Sequence, residues 1–259
     1  MRIRGVFFLY LGLLTINGEL LINISKGTEK ASVFHQYISG NSTADTVTIK
    51  FLTPDGVGVQ QVVDLKNKVS ISVYTVPGEQ DLGEYGYQVF CFVSLFTGDM
   101  IPAEAVNKLR QKNSGTVRVA EEHRGTTVQD NPVKLIVPRS SHISALIPSL
   151  CREARDATYS SEHEIKKILG NGAHGGSPSE FIKKNLHAYE TADRCDRVDR
   201  NEEKPCICSI SSCVWWFPCS LKFCRNMDGE EHRCGIRTCS KCTSNRFLVS
   251  SPLFCTWDR

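Results

Sequence analysis

The placement of the cysteines is the feature that most constrains how this chain can fold. Ten of the twelve cysteines lie in the last 65 residues, and only Cys91 and Cys151 precede them. The ten are Cys195, Cys206, Cys208, Cys213, Cys219, Cys224, Cys234, Cys239, Cys242 and Cys255. A segment this short cannot bury enough apolar surface to stay folded without cross-links. The even number of cysteines therefore predicts a disulfide framework. Ten cysteines allow about 945 pairings, which leaves the connectivity open.

Zinc binding is the alternative use of these cysteines. Cys239 and Cys242 have the spacing of a ligand pair, but a tetrahedral site needs a second pair of similar shape. Cys206 and Cys208 are too close together to supply it. We therefore expect disulfides, with no metal and no other cofactor.

The N-terminal segment predicts secretion, and with it the oxidising environment that disulfides need. Arg2 and Arg4 precede an apolar run from Gly5 to Ile16, and Gly18 follows at a position typical of signal cleavage. The run falls short of the roughly 20 residues that cross a bilayer, which argues against the alternative of a membrane anchor. We expect residues 1–18 to be a signal peptide and the mature protein to be extracellular, without a membrane span.

Two N-glycosylation sequons follow the expected signal peptide. They are Asn23-Ile24-Ser25 and Asn41-Ser42-Thr43. In a secreted chain such sequons predict glycans at Asn23 and Asn41, and the alternative is that each lies in an unmodified polar loop.

Charge and motifs argue against nucleic-acid binding and against catalysis. A net charge of +3 is too small to indicate a nucleic-acid partner. His163-Glu164 begins like a zinc protease motif, but Lys167 stands where the second histidine is required. The glycines between residues 170 and 175 match a dinucleotide fingerprint, yet they follow a helical pattern instead of a strand. We expect a protein that is not an enzyme.

Hydrophobic alternation predicts a small antiparallel sheet in the first half of the chain. Residues 46–51, 57–63 and 69–73 alternate as half-buried strands do, and residues 88–96 are apolar on both faces, as in a central strand. The sequence Thr53-Pro54-Asp55-Gly56 supplies a turn between the first two strands.

Two or three helices are expected to accompany this sheet. Pro102 suits the first turn of a helix that runs to about Asn113. Apolar residues between positions 143 and 157 share one helical face, although Pro148 argues that this helix starts late or kinks. A third helical segment ends at Gly170. The fold class predicted is α+β.

The domain organisation follows from these patterns and from the cysteine count. The signal peptide at 1–18 precedes an α+β domain at 19–170 and a linker at 171–194. A disulfide-rich, loop-rich domain occupies residues 195–259. Its aromatic residues either form a small core, which is favoured, or present an exposed recognition patch. They are Trp215, Trp216, Phe217 and Trp257.

Three long segments resemble the out at first family of secreted proteins. They are CFVSLFTGDMIPAEAVNKLRQKN at 91–113, LCREARDATY at 150–159, and KPCICSISSCVWWFPCSLKFC with CGIRTC within 204–239. The family's tail typically carries eight cysteines. Cys213 and Cys242 look additional, and we expect them to bridge each other.

The first region also resembles a BRICHOS domain. The matching parts are Asp64 on a strand pair, Cys91 at the end of a strand, Ile101-Pro102 before a helix, and Cys151 on a second helix. The resemblance implies a Cys91–Cys151 bridge and a BRICHOS-like α+β fold. It also suggests Asp64 as a pH-responsive or structural switch, the alternative being an aspartate that satisfies a turn.

Two functional hypotheses follow. The first is a secreted, non-enzymatic signalling or matrix ligand, with a role in development among the options, that acts through an unidentified extracellular protein. The alternative is chaperone-like binding of extended, strand-prone peptide, as implied by the BRICHOS resemblance. The oligomeric state is left open.

Overall fold

β-Strands dominate the fold. The computed structural model describes residues 19–25, 33–83, 85–171, 177–184, 186–199 and 201–256. The expected signal peptide and Trp257 lie outside these residues. The strands are β1 (Leu20–Ser25), β2 (Val33–Asn41), β3 (Thr46–Leu52), β4 (Gly58–Asp64), β5 (Val69–Pro77), β6 (Tyr87–Leu95), β7 (Val117–Arg118), β8 (Glu122–Asn131), β9 (Val133–Leu135), β10 (Thr158–Ser160), β11 (Ile182–Lys184), β12 (Cys206–Arg225) and β13 (Glu231–Val249).

The helices are all short. The α-helices are α1 (Ala103–Asn107), α2 (Ile147–Leu150), α3 (Glu162–Asn171) and α4 (Leu186–Thr191). Single 3-10 turns lie at Gln80–Leu82, Val137–His142, Pro178–Glu180, Cys195–Arg197 and Pro252–Phe254.

The first sheet has ten strands in the order β11-β9-β10-β6-β5-β4-β3-β2-β1-β7. Strands β1 to β6 form an antiparallel meander, in which each strand pairs with the next along the chain. Gly56 has φ +83° in the β3–β4 turn, a conformation that glycine adopts without steric cost. Strand β10 pairs with β6 in parallel, and β7 pairs with β1 in parallel. The sheet is therefore mixed.

The second sheet is built on one long hairpin. Strands β12 and β13 pair in antiparallel fashion over almost their whole length, and β8 joins β13 in parallel. Gly229, with φ +79°, lies in the turn between β12 and β13. The order β12-β13-β8 leaves β8 at the edge of this sheet.

The two faces of the large sheet are covered by different layers. The second sheet covers one face, where Phe92 and Tyr74 pack in the same core as Phe247 and Trp216 of the hairpin. Helices α2 and α3 cover the other face, in a core that includes Ile71 of β5, whereas α1 packs in the first core. Because strand side chains alternate, neighbouring residues of β5 and β6 serve both cores. Residues from both predicted domains thus share one hydrophobic core.

The predicted fold class was wrong. In place of a small antiparallel sheet with two or three helices, the described residues form a ten-stranded mixed sheet with short helices. The helix expected from Pro102 to Asn113 ends at Asn107, and the apolar stretch at 143–157 yields only the four residues of α2. Polar, proline-broken residues between 114 and 140 contribute β7, β8 and β9. Their strand partners lie far away in sequence, so no local pattern marks them.

The loop-rich description of the C-terminal region also needs correction. The disulfide-rich character is confirmed, with all of its cysteines paired. The segment is nevertheless dominated by two strands of 20 and 19 residues. Closely spaced cysteines and serines obscure the alternation that would identify such strands.

Candidate interaction site

Three disulfides cross the hairpin like the rungs of a ladder. Cys213 and Cys242 are directly opposite each other in the β12–β13 register. The sequence separations of the three bridges are 29, 20 and 10 residues, so each bridge is nested inside the previous one. The pairs are Cys213–Cys242, Cys219–Cys239 and Cys224–Cys234. The ladder holds the strand register even where the hairpin lacks other support.

The remaining bridges anchor the ends of the hairpin and the helical layer. The two disulfides expected from the sequence are present: Cys213 bonds to Cys242, and Cys91 bonds to Cys151. Cys91 lies on β6 and Cys151 directly follows α2, so their bridge fixes the helical layer to the large sheet. The bridges at the hairpin ends are Cys195–Cys206 and Cys208–Cys255.

Beyond Cys219 the hairpin begins to leave the shared core, and its tip extends into solvent. We call residues 220–237 the arm. Leu221 and Ile236 at the base of the arm still pack against the core. Every residue from 223 to 235 is exposed, so neither face of this outer part of the arm is covered. Phe223 is 59% exposed and Met227 is fully exposed. An exposed aromatic residue and an exposed methionine on a cross-linked hairpin are typical of a contact surface for a partner.

The aromatic residues that the sequence analysis singled out lie outside the arm. Trp216 and Phe217 are buried between the two sheets, and Gln36 of β2 donates a hydrogen bond from its side-chain amide to the Trp216 carbonyl. Trp215 is half-buried. The described members of this group therefore serve mainly as core residues. The exposed apolar residues of the arm were missed, because a single Phe or Met in a charged segment gives no periodic signal.

Asp64 caps the turn between β4 and β5. Its carboxylate accepts hydrogen bonds from the backbone N–H and the side-chain amide of Asn67, at 3.0 Å and 2.7 Å. The Ser144 hydroxyl donates a third bond at 2.6 Å, which ties the turn to the helical layer. The side chain is buried. The contacts of Asp64 are those of a turn aspartate.

Replacing Asp64 with alanine is expected to lower the free energy of unfolding by about 2–4 kcal/mol, because the half-buried Asn67 and the buried Ser144 lose their acceptor. Urea denaturation of the oxidised protein measures this loss. Asp55→Ala in the exposed β3–β4 turn is the control and should cost less than about 0.5 kcal/mol. Equal effects of the two substitutions would show that Asp64 has no special role.

The two predicted glycosylation sites differ in their surroundings. The Asn23 amide nitrogen, the atom that would carry a glycan, donates to the Ser114 carbonyl at 2.6 Å. The Asn23 oxygen lies 3.0 Å from the His35 ring. At Asn41 the described residues engage only the oxygen, which accepts from the backbone N–H groups of Thr43 and Ala44. The amide nitrogen of Asn41 is thus the better acceptor for a glycan.

We therefore expect a glycan at Asn41 and none at Asn23. In protein secreted from animal cells, Asn41→Gln should remove the mobility shift that a glycosidase produces, whereas Asn23→Gln should leave it unchanged. Glycopeptide mass spectrometry identifies the occupied site directly. A glycan found on Asn23 would require the contact with Ser114 to be absent.

A cleft of about 610 Å³ lies between the two sheets. At one end of the interface Tyr74 and Phe92 fill the space against Phe247. Two residues further along the same strands stand Ser72 and Ser94, whose small side chains leave the cleft open. The apolar run containing Ser94 conceals this change from aromatic to hydroxyl side chains, so sequence patterns did not reveal the cleft.

Cations and carboxylates line the mouth of the cleft. Arg124 and Lys241 come from the second sheet, and Glu164 comes from α3. Burial raises the pKa of the Glu164 carboxyl, although the Leu95 backbone N–H donates to it. At the rim, Arg246 forms two hydrogen bonds of 2.7 Å with Asp130 and lowers the pKa of that carboxyl.

No helix in the described part of the chain has the length and apolar character to cross a membrane. Among the same residues, no three potential ligand side chains converge on a metal position.

Two protein-family models match this chain. The model described as Out at first matches residues 18–168, and the model described as Out at first, C-terminal, matches residues 194–259. The first match alone spans more than half of the sequence. The chain belongs to the out at first family. In the structure, the region matched by the C-terminal out at first model contains the whole hairpin and its disulfide ladder.

Two out at first proteins illustrate the similarity. The protein from Drosophila virilis is 34% identical over 257 residues, which cover 93% of this chain and 83% of the relative. The protein from Drosophila melanogaster is 33% identical over 262 residues, which cover 93% of this chain and 52% of the relative. The chain thus spans about half the length of the second relative. No solved structure shows significant similarity to this chain.

Proposed function

We propose that this out at first protein is a secreted, non-enzymatic protein that acts by binding an extracellular protein through its arm. The observation that supports this proposal is that the arm holds exposed apolar side chains on a disulfide-linked hairpin. A hairpin ordered before binding loses little conformational entropy when it contacts a partner, which favours affinity. Such an element suits a signalling or matrix ligand.

Secretion is supported by the disulfides and by the signal-like N-terminus. Twelve cysteines in six bridges indicate an oxidising compartment. Expression in animal cells should release into the medium a chain that begins at residue 19, as N-terminal sequencing would show. Retention of the uncleaved chain inside the cell would contradict this part of the proposal.

The composition of the arm indicates the kind of partner surface. Phe223 and Met227 supply apolar contacts, while Arg225 and Glu231 form an ion pair of 3.1 Å beside them. Interfaces of this kind place apolar anchors at the centre and charged groups at the rim. We therefore expect a protein partner with an apolar pocket, instead of a uniformly charged surface.

Binding to intact cells tests the arm. The purified, fluorescently labelled protein is applied to a panel of cell lines and measured by flow cytometry. In lines that bind the wild type, the double variant Phe223→Ser with Met227→Ser should reduce binding at least about tenfold, as loss of apolar anchors does. Thermal unfolding should change little, because both side chains are largely exposed.

The matched control is Leu253→Ser with Phe254→Ser. These two side chains are 56% and 62% exposed and lie outside the arm, so this variant should bind as the wild type does. An equal loss of binding in the control, or full binding by the arm variant, would overturn the proposal.

A further inference from the structure

Strand β8 borders the cleft in an unusual way. Strands β4, β5 and β13 contribute alternate residues, such as Ser70 and Ser72 of β5 or Lys241 and Thr243 of β13. Side chains alternate along a strand, so this pattern shows that those strands present a face to the cleft. In contrast, β8 contributes four consecutive residues, 127–130. Consecutive lining residues indicate that the edge of β8 borders the cleft.

This edge is available for pairing. In the described part of the chain β8 is the last strand of its sheet, with β13 on one side only. Alternate backbone groups of an edge strand point away from the neighbouring strand and can accept a further strand. A bulge at Arg124 and Gly125 interrupts β8, and its regular part runs from Thr126 to Asn131, which is long enough to hold a short extended peptide.

Two cations of the cleft, Lys241 and Arg124, retain unused binding capacity. Among the described residues, Lys241 has no carboxylate within ion-pair distance. Arg124 forms ion pairs of 3.4 Å with Asp99 and Glu122, whose side chains are 71% and 44% exposed. The Nε atom of Arg124 is buried and forms no hydrogen bond with any described residue.

The carboxylates at the cleft are already engaged. Asp130 is bound by Arg246 and also accepts a hydrogen bond of 2.6 Å from Tyr189. Glu164 accepts the backbone N–H of Leu95. The groups of the cleft that remain available to bind a ligand are therefore hydroxyl and amide groups, the edge of β8 and positively charged side chains.

We propose that the cleft binds an extended peptide segment that adds as a strand to β8 and directs an acidic side chain toward Lys241 and Arg124. Strand addition supplies main-chain hydrogen bonds, and side-chain pockets supply specificity. The volume of about 610 Å³ lies within the range of ligand pockets and suits a few residues of extended chain. This site is separate from the arm. It specifies where the protein would bind extended peptide, which is the alternative functional hypothesis, and it predicts a preference for acidic peptides.

A peptide library provides the first test. A phage-displayed library of random nonapeptides is selected on the full-length oxidised protein and, in parallel, on the Lys241→Glu variant. We expect the wild type to enrich peptides that share an Asp or Glu at one position. The variant should not enrich these peptides. Absence of enrichment on the wild type, or enriched peptides without an acidic residue, would overturn the proposal.

The selected peptides are then measured by fluorescence anisotropy. Lys241→Glu should weaken binding at least about tenfold, which corresponds to about 1.4 kcal/mol. Lys112→Glu makes the same charge change at an exposed residue outside the cleft and should alter the dissociation constant less than about twofold. Replacing the acidic residue of the peptide with lysine should restore binding to Lys241→Glu. Failure of this charge exchange would contradict the assigned contact.

Hydrogen exchange locates the bound peptide. Amides of β8 should be protected when a selected peptide is added, and peptides N-methylated at alternate positions on one edge should lose binding. The Phe223→Ser, Met227→Ser arm variant should bind the peptides as the wild type does. Protection of the arm instead of β8, or loss of binding in the arm variant, would place the peptide on the arm and refute the cleft site.

Discussion

Replacing Phe247 with alanine is expected to lower the free energy of unfolding of the whole protein by about 3–5 kcal/mol. The ring is fully buried on β13 and contacts three rings of the large sheet. Its centroid lies 5.2 Å from those of Phe90 and Phe92 and 4.7 Å from that of Tyr159. Removing it leaves a cavity where the two sheets meet, because the surrounding strands cannot collapse fully. Denaturant titration with native disulfides measures the loss.

The matched control for this substitution is Phe223→Ala on the arm. Its side chain is 59% exposed, so the same change should cost less than about 0.5 kcal/mol. If Phe247→Ala costs under about 1 kcal/mol, the hairpin does not share a core with the large sheet. A loss confined to probes in the hairpin would lead to the same conclusion.

Removing the Cys91–Cys151 bridge is expected to have an effect of similar size. The double substitution Cys91→Ala with Cys151→Ala should cost about 4 kcal/mol in the chain-entropy model, because the bridge closes a loop with a sequence separation of 60. Both residues are completely buried, so their loss also weakens the packing of the helical layer on the sheet. Urea denaturation under non-reducing conditions measures the change.

The Cys224–Cys234 bridge on the arm provides the comparison. Its sequence separation is 10, for which the same model allows at most about 3 kcal/mol. The arm is exposed and can open locally without unfolding the sandwich, so the loss of global stability should be smaller still. Equal losses for the two double variants would contradict the distinction between a structural bridge in the sandwich and a local brace in the arm.

Local patterns predicted the strands whose neighbours in the sheet are also neighbours in sequence. Strands β3 to β6 lie where alternation predicts them, because each pairs with the next and buries one face or both. Strand β8 escaped prediction because its partner β13 begins more than 100 residues later. Its residues are largely polar and exposed, and the pairing is decided by the tertiary fold.

In the candidate sites, too, the sequence predicted local features and missed those that depend on the tertiary fold. Cysteine content predicted a disulfide framework, and the family resemblance supplied the Cys91–Cys151 pair. Neither indicates that Phe223 and Met227 remain exposed, since their exposure depends on where the hairpin passes the edge of the core. The cleft depends on Ser72 and Ser94 facing the second sheet, which only the assembled layers reveal. The BRICHOS likeness stays a prediction.

The shared core is the central claim, because it makes the disulfide hairpin both a structural layer and the support of the arm. Differential scanning calorimetry of the secreted, oxidised protein tests it most directly. A single transition with equal calorimetric and van't Hoff enthalpies, shifted as a whole by Phe247→Ala, is the predicted result. Two separate transitions, of which Phe247→Ala moves only one, would contradict the claim.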